Sequence, residues 1–226
     1  MGALPKEARD GVVAPAHELL RRLEREGLVL PASEMRQASL PKSCGIASLD
    51  RLTGGGLPAG GLSEIIAPVA GGATALYHCL SAATSRGEVV ALIDPGDGFD
   101  VRSAQGAGID MERLLWVRSR DILQALRAAE LILATGGFGL VALDMGTAPR
   151  RGPHRPAPAA WVRIKRKAAA CKAVMLVLST ASVVGSFASL TVEVSGARAC
   201  WRGRAARQRW LEGVELSFAL LRKRHG

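Results

Sequence analysis

The chain has 226 residues, 48% of them apolar and 22% charged, with a formal net charge of +10. That length allows one sizeable core, or a core with a small appendage, and excludes a disulfide-dependent miniature or a large multidomain machine. No apolar run reaches the roughly 18 residues of a membrane span, and no charged start followed by an apolar stretch opens the chain, so a cytoplasmic protein with no membrane association is expected.

Residues 1–14 show no periodicity. Pro15 to Gly27 reads as a helix, with Pro at the first position and Gly at the stop. Ala16, Leu19, Leu20 and Leu23 share one face, and Glu18, Arg21, Arg22, Glu24 and Arg25 share the other. So short a helix is marginal alone, so the leucine stripe must bury on its own domain or on another molecule. Residues 28–44 carry Pro31 and Pro41 and read as a linker. The expected organisation is an arm over 1–44, a candidate for partner docking, and a core over 45–226.

From Gly45 strands and helices alternate. Leu62–Ala67 is a predicted strand, Ala73–Arg86 a helix, Glu88–Ile93 a strand, Val101–Gly108 a short helix and Leu114–Val117 a strand. Asp121 caps a helix to Thr135, with Ile122, Ala125, Leu126, Ala129 and Leu133 inward and Gly136-Gly137 as the stop. Leu140–Leu143 is a strand ending in Asp144, Ala159–Lys172 a helix and Ala173–Leu178 a strand. Such alternation implies an α/β fold, a mainly parallel sheet with helices on both faces. Thr191–Ser195, Ala199–Arg202, Gln208–Leu211 and Val214–Leu221 read as antiparallel hairpin strands that extend it.

The run Glu64 to Thr74 has the layout of a strand, a phosphate loop and a helix start. The ATP-binding pattern is G-x-x-x-x-G-K-[ST]. Gly72 and Thr74 fit it, Ala67 takes the first glycine position, and Ala73 stands where the lysine belongs. Loss of that charged donor forfeits about 1.5–3 kcal/mol. Gly71, Gly72, Ala73, Thr74 and Asp144 therefore read as a vestigial loop with no catalytic residue and no cofactor. Passive nucleotide binding by the Gly71-Gly72 backbone stays open.

Cys44, Cys79, Cys171 and Cys200 form no C-x-x-C pair and read as free thiols. His17, His78, His154 and His225 lack ligand spacing, so no metal is assigned. Charge is uneven: residues 1–144 are net −3 and residues 145–226 net +13. Two clusters carry the excess. One spans Arg150, Arg151, Arg155, Arg163, Lys165, Arg166 and Lys167, with Trp161 as a candidate stacking residue; the other holds Arg202, Arg204, Arg207 and Arg209 between Trp201 and Trp210. The first fits a solvated surface, single-stranded DNA or an acidic protein; the second fits a protein interface or base stacking.

Several stretches resemble RecA. Ile46–Asp50 with Leu52–Gly60 resembles the entry to the RecA core, Ala91–Asp94 with Asp100 its next strand, Gly108–Leu115 its "G-V-D…L-L" segment, and Leu140–Asp144 its Walker B strand. The resemblance covers about residues 45–222 and implies a RecA-like core. RecA places a glutamate two residues after the strand-ending Asp to activate water; Gly96 matches that position here. Thr180 matches a glutamine that senses the terminal phosphate. With cation and base both missing, the resemblance implies a chain that is not an enzyme. RecA's DNA-binding loops follow the Walker B strand and the strand after it.

Among RecA relatives without an active loop, the size, the short basic stretch and the Gly213–Gly226 ending are most similar to the ImuA family. That resemblance implies an SOS-induced adaptor in mutagenic translesion synthesis. Its implied partners are ImuB, an inactive Y-family polymerase, and also RecA, single-stranded DNA or another copy. A SulA-like division inhibitor, an active RecA-group ATPase and a single-stranded-DNA-binding RecA paralogue are the alternatives.

Overall fold

The computed structural model describes residues 40–146, 156–203 and 210–223. The predicted helix over 15–27, with Leu19, Leu20 and Leu23, lies outside them. Element order is α1 (Ala47–Thr53), β1 (Leu62–Ile66), α2 (Gly72–Ser85), β2 (Val89–Asp94), α3 (Val101–Gly106), β3 (Leu114–Arg118), α4 (Ile122–Thr135), β4 (Phe138–Asp144), α5 (Pro158–Cys171), β5 (Val174–Ser179), β6 (Leu190–Arg202) and β7 (Trp210–Lys223).

The strands form one seven-stranded sheet in the order β3-β2-β4-β5-β1-β6-β7. Every pairing is parallel except β6 with β7. Continuous apolar runs in β2, β4 and β5 suit strands covered on both faces. Side chains alternate between those faces. Val90, Leu92, Leu140, Ala142, Val174 and Leu176 join a core with Leu49 of α1 and Leu76 and Leu80 of α2. Ala91, Ile93, Val141, Leu143, Met175 and Val177 join a second core with Leu126 and Leu133 of α4 and Trp161 and Ile164 of α5.

The cap and stop read for α4 act as expected, and α3 and α5 have end signals of their own. The Asp121 carboxylate accepts from Gln124 N–H at 2.7 Å and starts α4, and Gly136 at φ 74° ends it. Asp100 caps α3 in the same way. Pro158 opens α5, and Lys172 closes it in the left-handed region at φ 57°.

Two readings need correction. The four hairpin strands after Leu190 are two long strands, because Gly196 is absorbed at a bulge and Gly213 pairs with Cys200 instead of breaking β7. Trp161 is no stacking surface: it is 1% exposed, inside the α4–α5 core.

The last residues of the stretch read as linker, 42–44, join the core. Lys42 and Leu57 exchange two backbone hydrogen bonds at 2.8 Å. Gly56 permits this, since a Cβ there would lie 2.0 Å from the Lys42 carbonyl oxygen. Cys44 is buried. Its N–H and thiol each donate to Asp50 Oδ1 at 2.9 Å, and Ser43 Oγ donates to Asp50 Oδ2 at 2.6 Å. Among the described residues no helix is long and apolar enough to cross a membrane.

Burial alone would push the Asp50 carboxyl up; hydrogen bonds from Cys44, Ser43 and Gly45 outweigh it and hold it below the ordinary value. A lowered folded value contributes stability above about pH 4 that is lost as pH falls through it. The urea midpoint of wild type should therefore exceed that of Asp50→Asn at pH 6, and the gap should close toward pH 3. Trp161→Ala should cost about 3–5 kcal/mol in the same unfolding assay, because it empties a packed site.

Candidate functional site

β1 delivers the chain to the loop at the carboxyl end of the sheet. Ala67 N–H donates to the Ser179 carbonyl of β5 at 2.7 Å, and Pro68, Val69 and Ala70 are exposed. Gly71 precedes α2 at φ 108°, with no side chain capping the helix. Ala73 is exposed and Thr74 half-buried on the first turn. The residues Gly71, Gly72, Ala73 and Thr74 thus occupy the strand-loop-helix junction the sequence indicates.

Protein hydrocarbon packs on the glycines of this loop. A Cβ on Gly71 would lie 2.8 Å from a Leu216 methyl, 3.3 Å from Ala197 Cβ and 3.4 Å from a Val194 methyl. A Cβ on Gly72 would lie 2.9 Å from Ala67 Cβ and 3.4 Å from a Leu178 methyl. Glycines in a phosphate loop let the backbone approach an anion. Here they let β5, β6 and β7 approach the backbone.

Three carboxylates act on Tyr77 of α2, a few residues beyond the loop. Asp94, 1% exposed, accepts from Gly96, Gly98 and Phe99 N–H at 3.2, 3.1 and 3.0 Å and from Trp116 Nε1 at 3.3 Å. Gly96 therefore sits in a turn that Asp94 fastens. Asp144 accepts from Gly146 N–H at 2.9 Å. The Tyr77 hydroxyl accepts from Asp100 N–H at 3.0 Å. Burial pushes the Tyr77 hydroxyl pKa up, and the charges of Asp100, Asp144 and Asp94 push it the same way. Tyr77 meets Phe99 edge-to-face at 5.6 Å between ring centroids, and Phe99 meets Trp116 in a tilted contact at 5.2 Å. Arg118 lies 4.9 Å from the Trp116 ring and pairs with Asp97 at 3.6 Å. Among the described residues no group of His, Cys, Asp or Glu is arranged to hold a metal ion.

A residue the sequence reading passed over organises the neighbouring segment. Glu64 of β1 is fully buried. It accepts from Val183 N–H at 2.7 Å, Val184 N–H at 3.0 Å and Ser182 Oγ at 3.2 Å. Arg222 donates to the Gly185 carbonyl on the same segment. The segment after β5 is thus fastened at successive residues. A single charged residue inside the buried strand Leu62–Ile66 is the signal that marks it.

The basic residues divide. Arg150, Arg151, Arg155, Arg204, Arg207 and Arg209 lie outside the described residues. Arg163, Lys165, Arg166 and Lys167 lie on α5. Arg163 makes a bidentate pair with Glu130 of α4 at 2.8–3.0 Å, and Lys167 donates to the Glu130 carbonyl at 3.0 Å. Arg166 is exposed and Lys165 half-buried. On the β6–β7 ribbon Arg202 pairs with Glu212 and Arg198 with Glu215.

The RecA N-terminal domain model matches residues 22–151, more than half of the 226 residues. The chain belongs to the RecA N-terminal domain family. It is 31% identical over 147 residues to Protein RecA of Desulfotalea psychrophila, covering 64% of this chain and 41% of that one. It is 34% identical over 128 residues to Protein RecA of Cytophaga hutchinsonii, covering 55% and 36%. The chain therefore matches about two fifths of these relatives' length. The RadB recombinase crystal structure superposes with a TM-score of 0.54 at 20% identity, covering 67% of this chain and 81% of that one. That likeness shows the fold alone, and it agrees with the RecA-like architecture expected from the sequence.

Within this RecA-family sheet, the fully buried Glu64 accepts from the N–H groups of buried Val184 and half-buried Val183 and from the hydroxyl of exposed Ser182. Glu64→Ala should destabilise the fold by about 3 kcal/mol, since the donors lose a charged acceptor. Glu64→Gln, which keeps one acceptor oxygen, should lose less. Denaturant unfolding reads both.

Proposed function

We propose that this chain is a non-catalytic RecA-like adaptor in SOS-induced DNA damage tolerance. It supports mutagenic translesion synthesis by binding an inactive Y-family polymerase homologue of the ImuB type, as the resemblance to the ImuA family implies. The observation that carries this reading is Ala73 on the first turn of α2, beside glycines already packed against Leu178 and Leu216. Phosphoryl transfer depends on positioned positive charge and an oriented nucleophile. At this loop the phosphate lysine is Ala73 and the base position is Gly96.

The fastened segment after β5 supports the same reading. RecA couples nucleotide to DNA through a loop in that place, whereas Glu64 and Arg222 hold the segment here to the sheet. Partner contact would come from the basic surfaces, with Leu19, Leu20 and Leu23 as a second contact. RecA, single-stranded DNA and another copy of the chain remain further partners of this reading.

Two measurements test it. Co-purification of the full chain with the ImuB-type polymerase homologue of the same organism should give a stable complex; its absence counts against the adaptor role. Ala73→Lys should leave ATP turnover at background, because restoring one cation restores neither the base nor the space at Gly71-Gly72. Turnover by that variant would mean that one residue alone had silenced an otherwise intact site.

A further inference from the structure

The sheet ends on β7. Among the described residues its one strand partner is β6, so its other edge presents backbone N–H and C=O groups with no strand against them. Such an edge is a template for another strand. Every residue of β7 from Gly213 to Leu220 has a partner on β6, and the residues that the ladder skips on β7, Glu212 and Leu221, lie outside that run. Val214, Leu216 and Phe218 pack on the core beside α1 and α2. Leu220, opposite Val192 on the same face, is 39% exposed. Ser48 Oγ reaches the Leu216 carbonyl at 3.3 Å, and a carbonyl keeps a second lone pair for a ladder bond.

Side-chain order along β7 selects the occupant. Glu212 and Glu215 stand in its first half, and Arg222 and Lys223 at its end. Laid antiparallel about Ser217, a second β7 sets Val214 beside Leu220 and Leu216 beside Phe218. Each of those pairs joins apolar residues of one face, as a continuous sheet requires. The same register brings the Glu212 end of each strand to the Arg222 end of the other. A parallel copy would set Glu212 on Glu212 and Arg222 on Arg222, like charge against like. Glu212 meets Arg202 through Oε1, and Arg222 gives Nη1 to the Gly185 carbonyl, so each has further capacity for a partner.

We infer that two copies of this chain join edge to edge through β7, antiparallel about a two-fold axis at Ser217, into one sheet that runs across both. A two-fold contact of this kind is self-complementary and closes after two copies. Strand addition supplies main-chain hydrogen bonds, and the apolar pairs fix the register. The inference goes beyond the adaptor reading, which leaves the surface of self-association open. Its test uses no polymerase homologue, so either can fail without the other.

Sedimentation of the full wild-type chain over a concentration series should show a monomer–dimer equilibrium. Ser217 is exposed, opposite Gly196. A lysine there would face its own copy across the axis, so Ser217→Lys should weaken the dimer about tenfold or more. Glu212→Arg and Arg222→Glu should each weaken it, and the two together should restore it. Lys165→Ala/Arg166→Ala on α5 should dimerise as wild type does. Circular dichroism of each variant should match wild type. Should Ser217→Lys not fold, Ser217→Cys carries the test: mild oxidation should give a disulfide-linked dimer that wild type does not form. A monomer at every concentration, or a dimer that Ser217→Lys leaves unchanged, overturns the inference. A charge swap that fails to restore the dimer, or assembly beyond two copies, overturns it too.

Discussion

Leu178 and Leu216 pack against Gly72 and Gly71, and this contact governs what the carboxyl end of the sheet can do. In a phosphate loop the missing Cβ atoms leave room for an anion to meet backbone N–H groups. Here the room is lined by methyl groups of β5, β6 and β7. Beside this contact β7 is tied to α1, where Ser48 Oγ donates to the Leu216 carbonyl and Lys223 Nζ to the Thr53 carbonyl. A RecA-type framework therefore brings its last two strands against Gly71 of the loop.

Buried carboxylates serve the backbone throughout this end of the molecule. Glu64 gathers the segment after β5, and Asp94 gathers the turn after β2. Each stays inside because several N–H donors replace the water it loses. The aromatic series Tyr77, Phe99 and Trp116 then closes the gap between α2 and β3. These interactions fasten the segment after β5 and the turn after β2 to the sheet.

Much of the architecture was legible in the chain. Apolar runs such as Val174–Ser179 mark doubly covered strands, and Asp121 with Gly136 brackets α4. The loop position followed from Gly72 and Thr74. The ribbon was harder: Gly196 and Gly213 look like breaks, yet a bulge and a cross-strand partner keep both in register. Trp161 was misplaced because its basic neighbours suggested surface, while helical spacing turns the ring inward with Ile164 and Ala168. Cross-strand pairing of Arg198 and Arg202 with glutamates depends on register, which a list of charges does not contain.

The central claim is that a RecA-family framework here holds no working phosphate-transfer site. Incubation of the purified full chain with Mg·ATP, with and without single-stranded DNA, under single-turnover conditions tests it most directly. The account predicts phosphate release no faster than in buffer under both conditions. Release that scales with protein concentration and rises with DNA would contradict it.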